Sequence, residues 1–257
     1  MSDPNPAPAR RRPATVRGWL QAEVPVFIPC YNNPTYARGM LRQLRGLGFR
    51  RIALVDNAST SPDMRAWLDS VPEAEAEVIA LAENRGPRDI FNDLRNLVLL
   101  PRYFCITDPD LLLNPALPDG FLGDLALLAA QHKVGKAGFA LDISEPAAMR
   151  EETFRLQNRD WKIWEWEAQW WRKQVGLHDG QDPVYEAPVD TTFALYDRNV
   201  FRPAEHLKAV RVAGRFTAKH LPWYRDIGVP GDEEELYRRT EKFSWYLKAP
   251  GNPAPPP

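Results

Sequence analysis

The 257-residue chain has only two cysteines, Cys30 and Cys105. That is too few for a disulfide framework, and both lie in or at the end of apolar segments, so buried free thiols in a reducing cytoplasm are expected. No apolar run approaches the ~20 residues that a bilayer span needs, so an integral membrane protein is not expected. The opening MSDPNPAPARRRPATV has basic residues with no apolar stretch behind them, and no secretory signal is read there. The expectation is a soluble cytoplasmic protein, at most peripheral to a membrane. Charge of neither sign is in excess: 33 basic and 34 acidic residues give a net charge of −1, which argues against nucleic acid as a partner. Glycine-rich phosphate loops are missing too, since neither G-x-G-x-x-G nor a Walker sequence follows the first apolar segment. Any phosphate must be held by other means, and a divalent cation is the obvious one.

What is present is enough apolar sequence, 44% of residues, for a sizeable core. The 25 prolines are uneven, with nine of them in the first 13 and last 8 residues. Those ends cannot bury apolar area and read as tails, at 1–15 and 249–257. One folded unit is expected over 16–248.

Short apolar runs of the kind seen in buried strands occur at VPVFIPC, RIALVDN, EVIALAEN, RYFCITD and KVGKAGFALDI. Between them lie helical patterns. Asn33 with Pro34, and Ser61 with Pro62, are cap-and-first-turn signals. Ile90, Phe91, Leu94, Leu97 and Val98 predict one helix after RGPRD, and Phe121, Leu125 and Leu128 predict another. The alternation predicts an α/β fold with a mainly parallel central sheet and helices on both faces. In such sheets ligands sit beyond the carboxyl ends of the strands, and this chain keeps CYNNP, DNAST, ENRGPRD and TDPD there.

The last of these carries Asp108 and Asp110. Residues two apart in extended chain face the same way, and Pro109 holds Asp108 extended. Two hard oxygen donors aimed together suit Mg²⁺ or Mn²⁺, with a diphosphate completing the shell; a capped turn is the plain alternative.

Taken in order, VPVFIPCYNNPTYARGMLRQL, RIALVDNAST, ENRGP and YFCITDPDLLL resemble the family 2 glycosyltransferases of the GT-A, Rossmann-like fold, over about residues 23–142. The resemblance implies a nucleotide-diphosphate-sugar donor, a UDP-sugar by default, and Mn²⁺ or Mg²⁺. It places Pro29, Tyr31 and Asn32 in the base and ribose pocket and Asp56 on the base or ribose. Asn84 and Arg85 would contact the nucleotide, Asp108 the ribose or metal, and Asp110 the metal.

The acceptor part is expected over 143–248. VDTTFALYDRNVF resembles the strand beneath the acceptor site, and VAGRFTAKHLPWYRDIGVPGDEEELYRR partly matches the passage that carries the family's base. Asp232, Glu233 and Glu234 are therefore candidates, Glu233 first by its spacing to Arg239. A solvated helix start explains the same acidic run. Asp190 is a further candidate, as base or acceptor holder, or as a turn residue. His220, expected in a loop that ends at Pro222, is the candidate third metal ligand, by resemblance to GT-A enzymes that use a late histidine. Trp161, Trp164, Ala168 and Trp171 share one helical face, which suits core packing. Trp166 and Trp170 fall off it and suit acceptor stacking, as does Trp223, or a contact between copies in a homo-oligomer. The acceptor would be a saccharide, lipid-linked or small-molecule hydroxyl. A non-catalytic nucleotide-sugar-binding subunit is the alternative, ahead of a sugar nucleotidyltransferase, for which a glycine-rich loop is missing.

Overall fold

The computed structural model describes residues 16–190 and 192–243. The two proline-rich ends, and 244–248 of the expected folded unit, lie outside the described residues. The first half contains α1 (Val16–Glu23), β1 (Val26–Cys30), α2 (Pro34–Gly46), β2 (Ile52–Asp56), α3 (Pro62–Ser70), β3 (Glu77–Ala80), α4 (Asp89–Asn92), α5 (Leu94–Leu99) and β4 (Tyr103–Ile106). Then follow β5 (Leu111–Leu113), α6 (Phe121–Gln131), β6 (Lys136–Leu141), β7 (Thr153–Leu156), β8 (Arg159–Lys162) and α7 (Ile163–Ala168). The chain continues through β9 (Gln174–His178), β10 (Asp182–Glu186), β11 (Ala194–Asp197), β12 (Val210–His220) and α8 (Gly231–Thr240).

The main sheet runs β3-β2-β1-β4-β11-β6-β12-β10-β9, with β5 on the end of β12. Its first four strands form the parallel core. β11 enters antiparallel between β4 and β6, and β12 returns parallel to β6. The sheet as a whole is therefore mixed, and the two expected halves of the chain share it.

Period-two alternation divides the core into two layers. Ile28, Leu54 and Cys105 face Met40, Leu44, Met64, Phe121 and Leu125 from α2, α3 and α6. Val55, Phe104 and Ile106 face Ile90, Phe91 and Leu97 on the other side. The α/β class with helices on both faces is thus the observed one. Both cysteines are free and buried, and burial pushes their thiols above the usual range, with Asp56 adding to this at Cys30.

Two helix expectations are corrected. The single helix over Ile90–Val98 is two short ones, because Asp93 accepts the Arg95 N–H at 2.9 Å and caps a new start. A side chain that bonds its own backbone competes with helix continuation. The tryptophan helix is shorter than expected: Trp161 lies on β8, and the helix begins at Ile163. The preceding turn has Gln157 and Asn158 at φ 52° and 60°, the left-handed pair of a tight hairpin, and it sets β7 against β8. Glu167 on α7 is buried and paired with the buried Arg211 of β12, which also donates from Nε to the Pro188 carbonyl.

β12 bends between Val212 and Thr217, where the register with β6 shifts. Gly214 sits there at φ +65°, and a Cβ on it would lie 2.5 Å from Asp182 Oδ1. Asp182 is 1% exposed and receives the Arg215 backbone N–H at 2.9 Å and the Arg215 Nη2 at 2.6 Å. The bulge is thereby locked, and β12 continues to His220.

Candidate metal and donor site

β4 is buried between β1 and β11, and Thr107 N–H still pairs with Phe27 O at 3.1 Å before the chain turns. The turn over Thr107–Asp110 feeds β5, whose register places Leu111 opposite His220. Leu221 N–H donates to the Asp110 carbonyl at 2.8 Å. Backbone pairing therefore brings Asp110 and His220 together, although 110 positions separate them. His220 is the last residue of β12, not a loop residue as expected, because pairing with β5 extends the strand that far.

Asp108, Asp110 and His220 each offer a ligand atom within 4.8 Å of the others. His220 Nε2 lies 3.4 Å from Asp110 Oδ2. Asp110 Oδ1 and His220 Nδ1 are buried with no hydrogen-bond partner among the described residues. Burial pulls the His220 pKa below its usual value, against the pull of Asp110, which favours the neutral imidazole that metals bind. The Trp223 ring, buried, lies 4.7 Å from the His220 ring and backs it. Two carboxylates and an imidazole are a donor set suited to Mn²⁺ and acceptable to Mg²⁺. Orphaned buried donor atoms in that arrangement fit a cation.

The other candidate donor residues lie at or beyond the carboxyl ends of β1, β2 and β3. Pro29 is buried within β1, and Tyr31 is half-buried just beyond it. Asn32, at φ 51° and fully buried, ties the β1 and β2 loops together. Its carbonyl accepts Thr60 N–H and Ser61 N–H at 2.7 and 2.8 Å, and its amide reaches Thr60 and Thr240 hydroxyls at 3.1 and 3.0 Å. Asp56 accepts Ser59 N–H at 3.1 Å. Asn84 accepts Gly86 N–H at 3.0 Å, while its buried Nδ2 has no partner among the described residues. Arg85, half exposed, pairs with Glu83 at 3.1 Å.

Three of the candidate bases, Glu233, Glu234 and Asp190, are placed by contacts absent from any motif. Glu233 accepts the Thr35 backbone N–H at 3.1 Å and the Thr35 hydroxyl at 2.7 Å. It takes the capping role on α2 that Asn33 was expected to fill, since Asn33 Oδ1 instead accepts Tyr31 N–H. Burial raises the Glu233 pKa against those two hydrogen bonds. Glu234 pairs with Arg150 at 3.3 Å and with Arg238 at 2.8 Å. Asp232 is exposed in the first turn of α8. Asp190 is bound bidentately by Arg88, whose Nε donates at 2.8 Å. Burial opposes the Arg88 charge, but the Asp190 hydrogen bonds and then the Asp190 and Asp108 charges hold it up. Trp166 meets Phe154, Trp161 and Trp170 edge-to-face, with centroids 5.8, 5.5 and 5.9 Å away. These rings are engaged with one another.

Tyr36, Tyr237 and Arg88 feel the charge of the aspartates, and Arg150 is hydrogen-bonded through its backbone N–H to Trp223; nothing in the sequence marked these four as a group. Burial raises the Tyr36 phenol, with Asp110, Glu234 and Glu233 adding to this against Arg150. Burial, then Glu241, Asp110 and Asp108, raise Tyr237. Helix α8 thus lies beside the aspartates. A groove of about 310 Å³ lies at the opposite end of β6 and β12, lined by Val134, Ala187, Pro188 and Lys208 among others. No candidate site residue lines it.

No family model matches the sequence, and no curated protein matches it. Solved structures do resemble the fold. S. aureus TarS 1–349 in complex with UDP-GlcNAc has 15% identity and a TM-score of 0.43 over 84% of this chain and 64% of that one. GalNAc-T7 with UDP, GalNAc and Mn²⁺ has 10% identity and a TM-score of 0.46 over 78% and 45%. Full-length S. aureus TarS has 15% identity and a TM-score of 0.40 over 84% and 38%. These neighbours are GT-A glycosyltransferases, and this chain spans between 38% and 64% of their length.

Proposed function

We propose that the protein is a metal-dependent glycosyltransferase that moves a sugar from a nucleotide-diphosphate donor to an acceptor hydroxyl. The single observation that carries the proposal is the juxtaposition of Asp108, Asp110 and His220 at the carboxyl end of the parallel strands. Those three residues would hold Mn²⁺ or Mg²⁺. A bound divalent cation supplies Lewis-acid neutralisation of a departing diphosphate.

The rest is work for the chain's own groups. The loops after β1, β2 and β3, with Pro29, Tyr31, Asp56, Asn84 and Arg85, would form the donor wall. Asn32 holds the first two of those loops in register through its three side-chain hydrogen bonds to Thr60 and Ser61. Glu233 is our choice for the base that takes the acceptor proton, because a carboxyl raised by burial works closer to neutral pH. Asp190 would serve to hold Arg88 beside Asp108. Displacement by the acceptor in one step would invert the anomeric centre. A UDP-sugar is the default donor.

A second proposal, a binding subunit without chemistry, is favoured by one observation: Glu233, Glu234 and Asp190 are all engaged by other residues. Incubation with a panel of nucleotide sugars and Mn²⁺, with mass spectrometry for free nucleoside diphosphate, separates the two. Release from one donor, abolished in Asp110→Ala, is the result expected of a transferase. A donor that binds and is never cleaved would make this a binding subunit.

A further inference from the structure

Arg150 is placed at this site by backbone pairing. Its N–H donates to Trp223 O at 2.7 Å, and Met149 bridges Tyr224. Trp223 in turn backs His220. The guanidinium is only half used: Nη2 meets Glu234 at 3.3 Å, while Nε is buried with no partner among the described residues. A guanidinium offers its N–H groups as a fork matched to phosphate or carboxylate. One contact at 3.3 Å does not fill that fork.

The partner is on a weakly held element. No residue of α8 is fully buried, Tyr237 and Glu233 being partly so. Polar contacts tie it to the rest of the domain: Glu233 to Thr35, Glu234 to Arg150, and Thr240 to Asn32. Glu234 also has a second partner on its own helix, since Arg238 Nε reaches it at 2.9 Å. Glu234 can therefore leave Arg150 without stranding either charge, provided another anion arrives.

We propose that Arg150 is an anion-binding residue of the site, receiving a phosphate or carboxylate of the ligand, and that Glu234 occupies its place until that ligand binds. The anion belongs to the donor's diphosphate or to an acidic group on the acceptor. The inference rests on the site of the proposed transferase, but it needs neither the metal nor the nucleotide base. Entry of the anion exchanges the Glu234 carboxylate for the ligand's anionic group, and it loosens the contact of α8 with Arg150.

The test is calorimetric titration of the full chain with inorganic pyrophosphate and, separately, with glycerol phosphate, in wild type, Glu234→Gln and Arg150→Gln. Glu234→Gln is expected to bind several-fold tighter and to be cut faster by trypsin at Arg238 and Arg239. Arg150→Gln is expected to lose about tenfold or more, the scale of a hydrogen bond to a charged group. Loss of pyrophosphate affinity assigns the donor's diphosphate, and loss of glycerol phosphate affinity alone assigns an acceptor anion. Unchanged affinity for both probes in both variants would overturn the proposal. Mn²⁺ titration of Arg150→Gln and Asp110→Ala is run alongside. Retention in the first shows that the site is folded, and retention in the second would sink the metal reading while the anion result still stands.

Discussion

Removing the Glu167 carboxylate should be among the most damaging single changes to this fold. Its side chain is 3% exposed and that of Arg211 is 5% exposed, so neither charge has water to fall back on. Burial already raises the Glu167 pKa, against the pull of Arg211. In Glu167→Ala the Arg211 guanidinium loses the Glu167 carboxylate and keeps its hydrogen bond to the Pro188 carbonyl. Breaking a buried pair from one side costs about 3–5 kcal/mol, because the other charge is left uncompensated. For a chain of this size, each kcal/mol lowers the thermal midpoint by roughly 2–4 °C. The expected drop is therefore roughly 6–20 °C by circular dichroism, with a matching loss in urea. Replacing both partners, Glu167→Leu with Arg211→Met, should recover most of it, since apolar residues of similar volume strand no charge. A single variant within about 1 kcal/mol of wild type would refute the reasoning, as would a double variant no better than the single one.

Gly214→Ala should cost about 1–3 kcal/mol in chemical denaturation, since a positive φ and an approach of 2.5 Å to Asp182 act together. Burial draws the pKa of Lys136 down from 10.5 to about 7, so between those values the unfolded chain binds the extra proton and stability rises with pH. The unfolding free energy from urea titrations should rise by about 1–2 kcal/mol from pH 7 to about 8.5 in wild type and stay flat in Lys136→Met. At higher pH the two buried thiols, raised in pKa, act in the opposite direction. Ellman's reagent should find neither Cys30 nor Cys105 in the native protein and both after unfolding; a native signal would contradict their burial.

The parallel core was legible because each of its strands is an apolar run closed by a polar turn, a local pattern. Asp108 and Asp110 were legible for the same reason, lying two residues apart. What the sequence hid was long-range. β5 is not among the strands read from the sequence, and only its pairing with β12 makes His220 the neighbour of Asp110. The bulge at Gly214 and the hairpin before α7 depend on left-handed backbone, which no apolar periodicity reports. Arg150 lacks any motif, since a bridge from Met149 to Tyr224 places it. The acidic run at 232–234 looked like a base motif or a helix start. It is a helix start whose second carboxylate caps a different helix.

The most direct test of the central claim is a Mn²⁺ titration, followed by electron paramagnetic resonance of the free ion, with and without UDP. One Mn²⁺ per chain, lost in Asp110→Ala and weakened in His220→Ala, with UDP bound only when the ion is present, is the outcome expected if these residues form a donor site. Mn²⁺ that binds equally well to Asp110→Ala, or does not bind at all, would contradict it and leave Thr107–Asp110 as a turn between two strands.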